Sequence, residues 1–382
     1  MSGDAKNLNV FRISTQEEMN ILRDSWNRLS KAVPFCTWDW LQCWWKYYGT
    51  GRPGRRQLFT LLVCDISQQI IGIAPWYLEN SLYQGKTIRF LGDGEVCSDY
   101  VSILARPEDE ETVAITLSRW MTQQGKEFWD HCNFESIGVQ DRVVWKFIEQ
   151  LRFSGCILDS MRIYHRWRLP LPESWAAYLA GRSSSHRCEL RSLERKYLLS
   201  GKVTLRHAKK EEELKRCFEI LVALHQKRKK ALSKNTTFAS ARFIEFQREA
   251  SSRLMAEGKL NLVWLEYENQ PIAILYDFVG ERVIYGYASG FDPECTIRAA
   301  GKLLFIAVFK QAIEQGFVAY DFLRGDEPYK MHWKAVPEEC YQVCITNNKP
   351  SAFLRSLGGR VLRSVKRRIL NRPCHYLEAR NR

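Results

Sequence analysis

The sequence predicts an α/β (α+β) fold made of two related units, each a mixed central sheet flanked by helices. Three observations lead there. The chain has 382 residues, 45% of them hydrophobic and 13 of them tryptophan, enough to build two cores rather than a disordered chain. Over residues 283–323 a β-branched and aromatic run, a broad apolar helical face and a second short apolar run succeed one another, the order of a βαβ unit. A fainter version of the same plan occupies the first half: the stretch 61–74 lies over the hairpin 260–276 with Gly72 set on Ala273, and helix 108–121 and strand 133–138 answer helix 302–315 and strand 317–323.

Taken in order, Asn9 to Ile13 reads as a strand. Thr15 caps a helix whose first turn holds Glu17 and Glu18, where carboxylates suit the positive end of the helix dipole. Thr37 caps another, with Trp40, Leu41, Trp44, Trp45 and Tyr48 along one side. A face this aromatic packs against a sheet or lines a ligand groove, and the first is favoured. Residues 58–65 and 69–78 alternate as a hairpin about Ser67-Gln68, and a strand from Ile88 leads to a loop holding Asp99 and Tyr100. A helix from Pro107, a strand at 133–138, a helix at 143–151 and a strand near Ile157 close the first half. In the second, Ser183 caps a helix with Arg187, Arg191 and Arg195 in one basic stripe. An amphipathic helix over 211–230 ends in the cationic run that begins at His225, and the hairpin 260–276 turns at Glu268-Asn269. After the strand at 283–288, residues 290–298 form a polar break. Leu303, Leu304, Ile306, Val308, Phe309 and Ile313 then share a helical face that ends at Gly316.

Charge is concentrated. The net formal charge is +14, yet 182–234 alone holds 16 Lys/Arg against 6 Asp/Glu, and 349–382 holds 10 against 1, so the remainder is slightly acidic. Charge focused in this way calls for an anionic partner: a coenzyme, a nucleic acid, a membrane surface or an acidic glycan. In the tail, Leu354, Leu357, Val361, Leu362, Val365 and Ile369 recur at helical spacing with Arg363, Lys366, Arg367 and Arg368 on other faces. That pattern leaves open a peripheral membrane contact, a nucleic-acid contact or a simple closing of the fold. The twelve cysteines are scattered and form no CxxC pair, so reduced thiols and no metal site are expected. The polar opening of the chain and the lack of a long apolar run predict no signal peptide or membrane span, hence a cytoplasmic protein.

The break before the second-half helix is the sharpest functional signal. Arg298, Ala299, Ala300, Gly301, Lys302 and Leu303 enter the helix there. A helix start offers unpaired N–H groups and partial positive charge, a place for phosphate, and glycine lets backbone approach it. The equivalent helix in the first half begins Pro107-Glu108-Asp109-Glu110-Glu111, which repels phosphate, so if either half binds a coenzyme it is the second. Just past the following strand come Asp321, Arg324, Asp326, Glu327, Tyr329 and Lys330, where an open α/β sheet places its site. Group transfer at such a place needs a base, an acid for the leaving group and charge stabilisation. Asp326 or Glu327 suit the base, Tyr329 the acid and Lys330 the charge, with Asp321 a further catalytic candidate and His332 a further candidate base. A structural alternative pairs Arg324 with Asp326 around a turn at Gly325.

These residues resemble known proteins. Arg298 and Gly301 are similar to motif A of the GNAT acyltransferases, R/Q-x-x-G-x-G/A, with Leu303 departing from it. The tryptophan helix at 38–45, Ser98-Asp99-Tyr100, the serine-arginine helix at 183–197 and Leu224-His225 extend the likeness, with Ser289-Gly290-Phe291-Asp292-Pro293 and, above all, Tyr320 to Lys330 with Trp333. Together, over roughly residues 10 to 346, they resemble the CelD-like (BcsL-like) branch of the GNAT superfamily. Its bacterial members are linked with cellulose or other exopolysaccharide synthesis, and it is related in architecture to the Fem-type aminoacyl ligases. The resemblance implies two tandem GNAT-like domains, 1–165 without coenzyme and 166–350 with it, followed by a basic tail at 351–382. It implies acyl transfer from acetyl-CoA or another acyl-CoA to an amino group of a small-molecule or glycan acceptor, and it marks Trp40, Asp99, Tyr100, Arg187, His225 and Arg324 as substrate-binding positions. A Fem-like transferase using aminoacyl-tRNA, held by the basic 182–234 segment, and a non-catalytic scaffold in polysaccharide synthesis are the competing readings.

Overall fold

The computed structural model describes residues 8–30, 33–49, 54–82, 84–231 and 237–356; most of the basic tail, from residue 357, lies outside them. The first half runs β1 (Asn9–Ile13), α1 (Gln16–Asn20), α2 (Arg23–Leu29), α3 (Trp38–Trp44), β2 (Arg56–Leu58), β3 (Thr60–Cys64), β4 (Ile70–Ala74), β5 (Trp76–Ser81), β6 (Gly85–Phe90), β7 (Leu104–Ala105), α4 (Glu110–Thr122), β8 (His131–Gly138) and α5 (Arg142–Phe153). β9 (Ile157–Pro170) crosses to the second half, which runs α6 (Trp175–Ala180), α7 (Ser184–Leu193), β10 (Val203–His207), α8 (Glu211–Ala231), α9 (Ala241–Ala256), β11 (Leu260–Tyr267), β12 (Gln270–Val279), β13 (Val283–Phe291), α10 (Ala300–Glu314), β14 (Ala319–Arg324), α11 (Pro328–His332) and β15 (Val336–Thr346).

The two expected units are present and share one sheet. β1, β3, β4 and β7 form a four-stranded sheet, and the others form an eleven-stranded one in the order β10-β11-β12-β13-β14-β9-β15-β8-β6-β5-β2. The expected domain boundary at 165/166 falls inside β9, whose neighbours are β14 and β15. β15, last in sequence, inserts between β9 and β8 of the first half. The predicted strand at 69–78 is two strands, because Pro75 between them cannot donate to a ladder.

Local chemistry explains the ends of the elements. Thr15 and Glu18 form a reciprocal capping box, and Thr37 and Ser183 cap their helices with side-chain oxygens. The β11–β12 hairpin turns on Glu268 and Asn269, both at positive φ. The aromatic face of α3 is core, which corrects the expectation that Trp40 touches substrate. Trp40 is fully buried, with its ring centroid 4.9 Å from Phe246 and 5.1 Å from Phe278, and its indole N–H donates to Ser98 Oγ at 2.8 Å. Phe246 and Phe278 belong to α9 and β12, so this helix clamps the first half onto the second; burying such a ring contributes on the order of 3 kcal/mol.

Two strand pairs position the site. β6 and β8 run parallel at Thr87–His131 and Ile88–Cys132, and β13 and β14 at Val283–Ala319, Ile284–Tyr320 and Tyr285–Asp321. Past Tyr285 and Asp321 the second pair parts, although β13 continues to Phe291, and the start of α10 faces the opening. No helix among the described residues is long and apolar enough to cross a membrane.

Candidate active site

The N-terminus of α10 is bare. Ala299 stands at the cap position and makes no side-chain cap bond; Ala300 N–H donates to the Ile297 carbonyl at 3.0 Å, and the N–H groups of Gly301 and Lys302 have no acceptor among the described residues. A cleft of about 540 Å³ opens before it, lined among others by Gly290, Phe291, Arg298, Lys302, Tyr329 and Trp333. Ala299 and Gly301 also line it, whereas Ala300 and Leu303 are buried and do not. A Cβ on Gly301 meets nothing closer than Phe291 at 3.9 Å, so the glycine answers no packing demand of the protein and leaves the cleft floor open. Lys302 is tied to Glu189 of α7 at 2.5 Å, while the exposed Arg298 makes no ion pair among the described residues. This charge and geometry fit a pyrophosphate.

From the cleft the gap between β13 and β14 leads into a polar chamber of about 230 Å³, with Asp99, His225, Arg228, Arg324, Glu327 and Lys330 among its walls. Arg228, Leu275, Ser289, Phe305 and Tyr329 line both spaces. Tyr329 therefore stands where they meet, and burial pushes its hydroxyl well above the usual tyrosine range, so it keeps its proton. Glu327 is half-exposed and accepts from Lys330 at 3.0 Å. Its carboxylate lies 2.6 Å from where a Cβ on Gly325 would stand, and Gly325 has φ +113°, so only glycine fits.

Lys330 is 1% exposed and donates to the carbonyls of Leu323 (3.2 Å), Arg324 (2.9 Å) and Gly325 (2.8 Å). Together with Glu327 its three hydrogens face four acceptors, so it holds the turn after β14. That turn needs holding, because Leu323 adopts φ +57° without being glycine. Arg324 pairs with Asp99 at 2.5 Å, not with Asp326 as the turn alternative supposed. Asp326 points away from both spaces: it accepts from the Trp167 indole at 3.0 Å and sits 3.4 Å from His165.

Asp321 lies on the sheet face opposite α10, where its neighbours Tyr320 and Phe322 do not. It is fully buried, accepts from the Tyr100 hydroxyl and from Leu323 N–H, and burial raises its pKa to about 6. Two of the expected acidic residues, Asp321 and Asp326, thus stand apart from the chamber, while Glu327 lines it; alternation along β14 and the turn at Gly325 separate them. Of the expected substrate-binding residues, Asp99, His225 and Arg324 line the chamber, His225 packed 4.9 Å from Phe238. Tyr100 lines a different cavity, and Arg187 lies on α7 outside the cleft and the chamber. His332 borders the cleft, its ring centroid 4.4 Å from that of His186 with the two planes tilted, and burial lowers the pKa of both imidazoles. Arg228 was not foreseen; it donates to Ser289 Oγ at 2.6 Å and its only sequence signal is the basic end of α8.

Residues 184–331 match the family model described as an acetyltransferase (GNAT) domain. The likeness to a GNAT acetyltransferase domain is thus carried by the second half. Among solved structures the chain is similar to FemX, at 12% identity over 91% of this chain and 100% of that one, with a TM-score of 0.60. It is similar to L-PGS from Bacillus licheniformis, at 12% identity over 91% and 96% with a TM-score of 0.51. It is also similar to the C-terminal domain of a provisionally assigned lysylphosphatidylglycerol synthetase from Agrobacterium fabrum, at 9% identity over 91% and 98%, with a TM-score of 0.51. At these identities the likeness is one of fold, and the fold is the tandem one. No curated protein sequence matches the chain.

Proposed function

We propose that the protein is an acyl-CoA-dependent N-acyltransferase, with acetyl as the acyl group, acting on an amino group of a sugar or surface-polysaccharide precursor. One observation carries the reading: the bare start of α10 faces a cleft that continues, between the parting strands, into a polar chamber closed by Tyr329. The coenzyme's pyrophosphate would lie on the N–H groups of Gly301 and Lys302, with the Arg298 and Lys302 side chains beside it, since Leu303 N–H already donates to Ala299. Its thioester supplies an activated acyl group. Glu327, the carboxylate of the Asp321–Glu327 set that lines the chamber, takes the proton of the incoming amine, directly or through one water. Tyr329, kept protonated by burial, gives its proton to the departing sulfur. Lys330 holds Glu327 and the turn in place, and Asp99 fixes Arg324. Placement in exopolysaccharide synthesis rests on the resemblance of the 320–333 stretch alone.

The runner-up is a Fem-like transferase fed by aminoacyl-tRNA. The likeness to FemX and the exposed Arg191 and Arg195 on the basic segment favour it. Calorimetric titration decides. Acetyl-CoA should bind wild-type protein and bind at least about tenfold more weakly when Gly301 becomes Asp; salt-sensitive tRNA binding without any binding of acetyl-CoA or longer acyl-CoAs would overturn the proposal in favour of the runner-up. Binding without turnover on a panel of amines would point to the scaffold reading.

A further inference from the structure

A second cavity, of about 570 Å³, opens on the other side of the sheet and shares no lining residue with the cleft or the chamber. Its floor is β9. Arg166 and Arg168 alternate there onto one face, and Arg168 stands opposite Asp321 in the β9–β14 register, the face away from α10. Arg166 is 5% exposed, yet it forms no ion pair within 4.0 Å and donates no side-chain hydrogen bond among the described residues; its Nε is buried without an acceptor. Arg168 likewise has no ion-pair partner among them.

The pocket is built around this guanidinium. Its Cζ lies 3.7 Å from the centroid of the Tyr100 ring, a cation–π stack that fixes its plane while leaving its in-plane N–H groups free. Gly138 makes the room: a Cβ there would stand 2.5 Å from Arg166 Nη2. Asp99 and Asp321 supply negative charge nearby, but their oxygens are engaged by Ser136, Arg324, Tyr100 and Leu323. Burying a guanidinium whose donors remain unmatched is costly, and it is sustained where an anion completes the set. Around it stand Glu110, Glu338 and Glu339, together with Arg142 and with Asp141, whose carboxylate accepts from Ser102 Oγ and from Val144 N–H as the cap of α5. These carboxylates repel a polyanion such as RNA and accept from hydroxyl or ammonium groups.

We infer that this cavity binds a small polar molecule through one anionic group, a phosphate monoester or a carboxylate, anchored on Arg166 with Arg168 beside it and with its hydroxyl or amino groups turned to the acidic rim. The inference does not depend on the acyl-transfer reading, since it rests on different residues on the opposite face of the sheet.

Glucosamine 6-phosphate, glucuronate and inorganic phosphate, each against sodium chloride at equal ionic strength, serve as probes in thermal-shift and calorimetric titrations of the full chain. At least one sugar anion should bind wild-type protein more tightly than inorganic phosphate does. The phosphate and carboxylate arms then tell which anion the site takes. Arg166→Met and Arg168→Gln should each weaken that binding by about tenfold or more, while Arg298→Gln, at the coenzyme cleft, leaves it unchanged. Should Arg166→Met fold poorly, Arg168→Gln, at a half-buried position, gives the same reading. The inference is overturned if no probe binds beyond the chloride control, if both β9 variants bind as wild type does, or if only Arg298→Gln abolishes binding.

Discussion

Replacing Lys330 with Met tests whether the ammonium builds the site or reacts within it. The side chain is 1% exposed, and its nitrogen satisfies three backbone carbonyls at 2.8 to 3.2 Å besides meeting Glu327 at 3.0 Å. Met keeps the aliphatic stem and removes every one of these bonds. A buried acceptor left unpaired costs about 1–3 kcal/mol, but the Gly325 end of the turn borders the chamber and regains water, so the expected loss is roughly 3–5 kcal/mol rather than the full sum. Urea unfolding followed by tryptophan fluorescence measures it. The same variant should lose acyl transfer, because Glu327 is released from its place beside Gly325. A loss of stability below about 1 kcal/mol together with collapsed turnover would refute the argument, and would assign the charge to the reaction itself.

Three other perturbations follow from the same geometry. Gly301→Asp should leave the melting temperature within a few degrees of wild type, since its Cβ has only an ordinary contact, while acetyl-CoA affinity falls by about tenfold or more. Tyr329→Phe should lower kcat by roughly 10²-fold with the coenzyme Kd nearly unchanged, and an unaltered kcat would remove the hydroxyl from the reaction. For Asp321 the sign follows from its raised pKa of about 6: the folded state holds the proton more tightly, so its stabilising contribution is complete below the unfolded value near 4 and is lost as pH rises through 6, on the order of 3 kcal/mol in all. The stability of Asp321→Asn relative to wild type should therefore improve between pH 4 and pH 7.5, and a pH-independent difference would contradict the burial of an ionisable group there.

How much of this was legible depended on the range of the interaction. Thr15, Thr37 and Ser183 could be read as caps because a cap bond reaches only three residues. The Glu268-Asn269 hairpin and the βαβ unit around Gly301 were legible for the same reason, their periodicity lying within one stretch. At the end of β14 and just beyond it, sequence grouped Asp321, Asp326 and Glu327. Strand alternation and the positive φ of Leu323 and Gly325 send these three in different directions, and no linear spacing reveals that. Trp40 was ambiguous because a wall of a groove and a core face share one pattern. Arg166 carries no local signal at all: its burial depends on Tyr100 and Gly138, brought to it by strand pairing.

β15 has a consequence for the birth of the molecule. It lays Cys340 against Gly138 and Thr346 against His131, so the first half's sheet receives an inner strand from almost the far end of the chain. Translation delivers β8 long before its neighbour. Until residue 346 leaves the ribosome, one edge of that sheet has no partner and stands open to pairing with another nascent chain. Contacts of such range make for slow closure. The second half is therefore also the lock of the first, whose sheet closes only once β15 has been made.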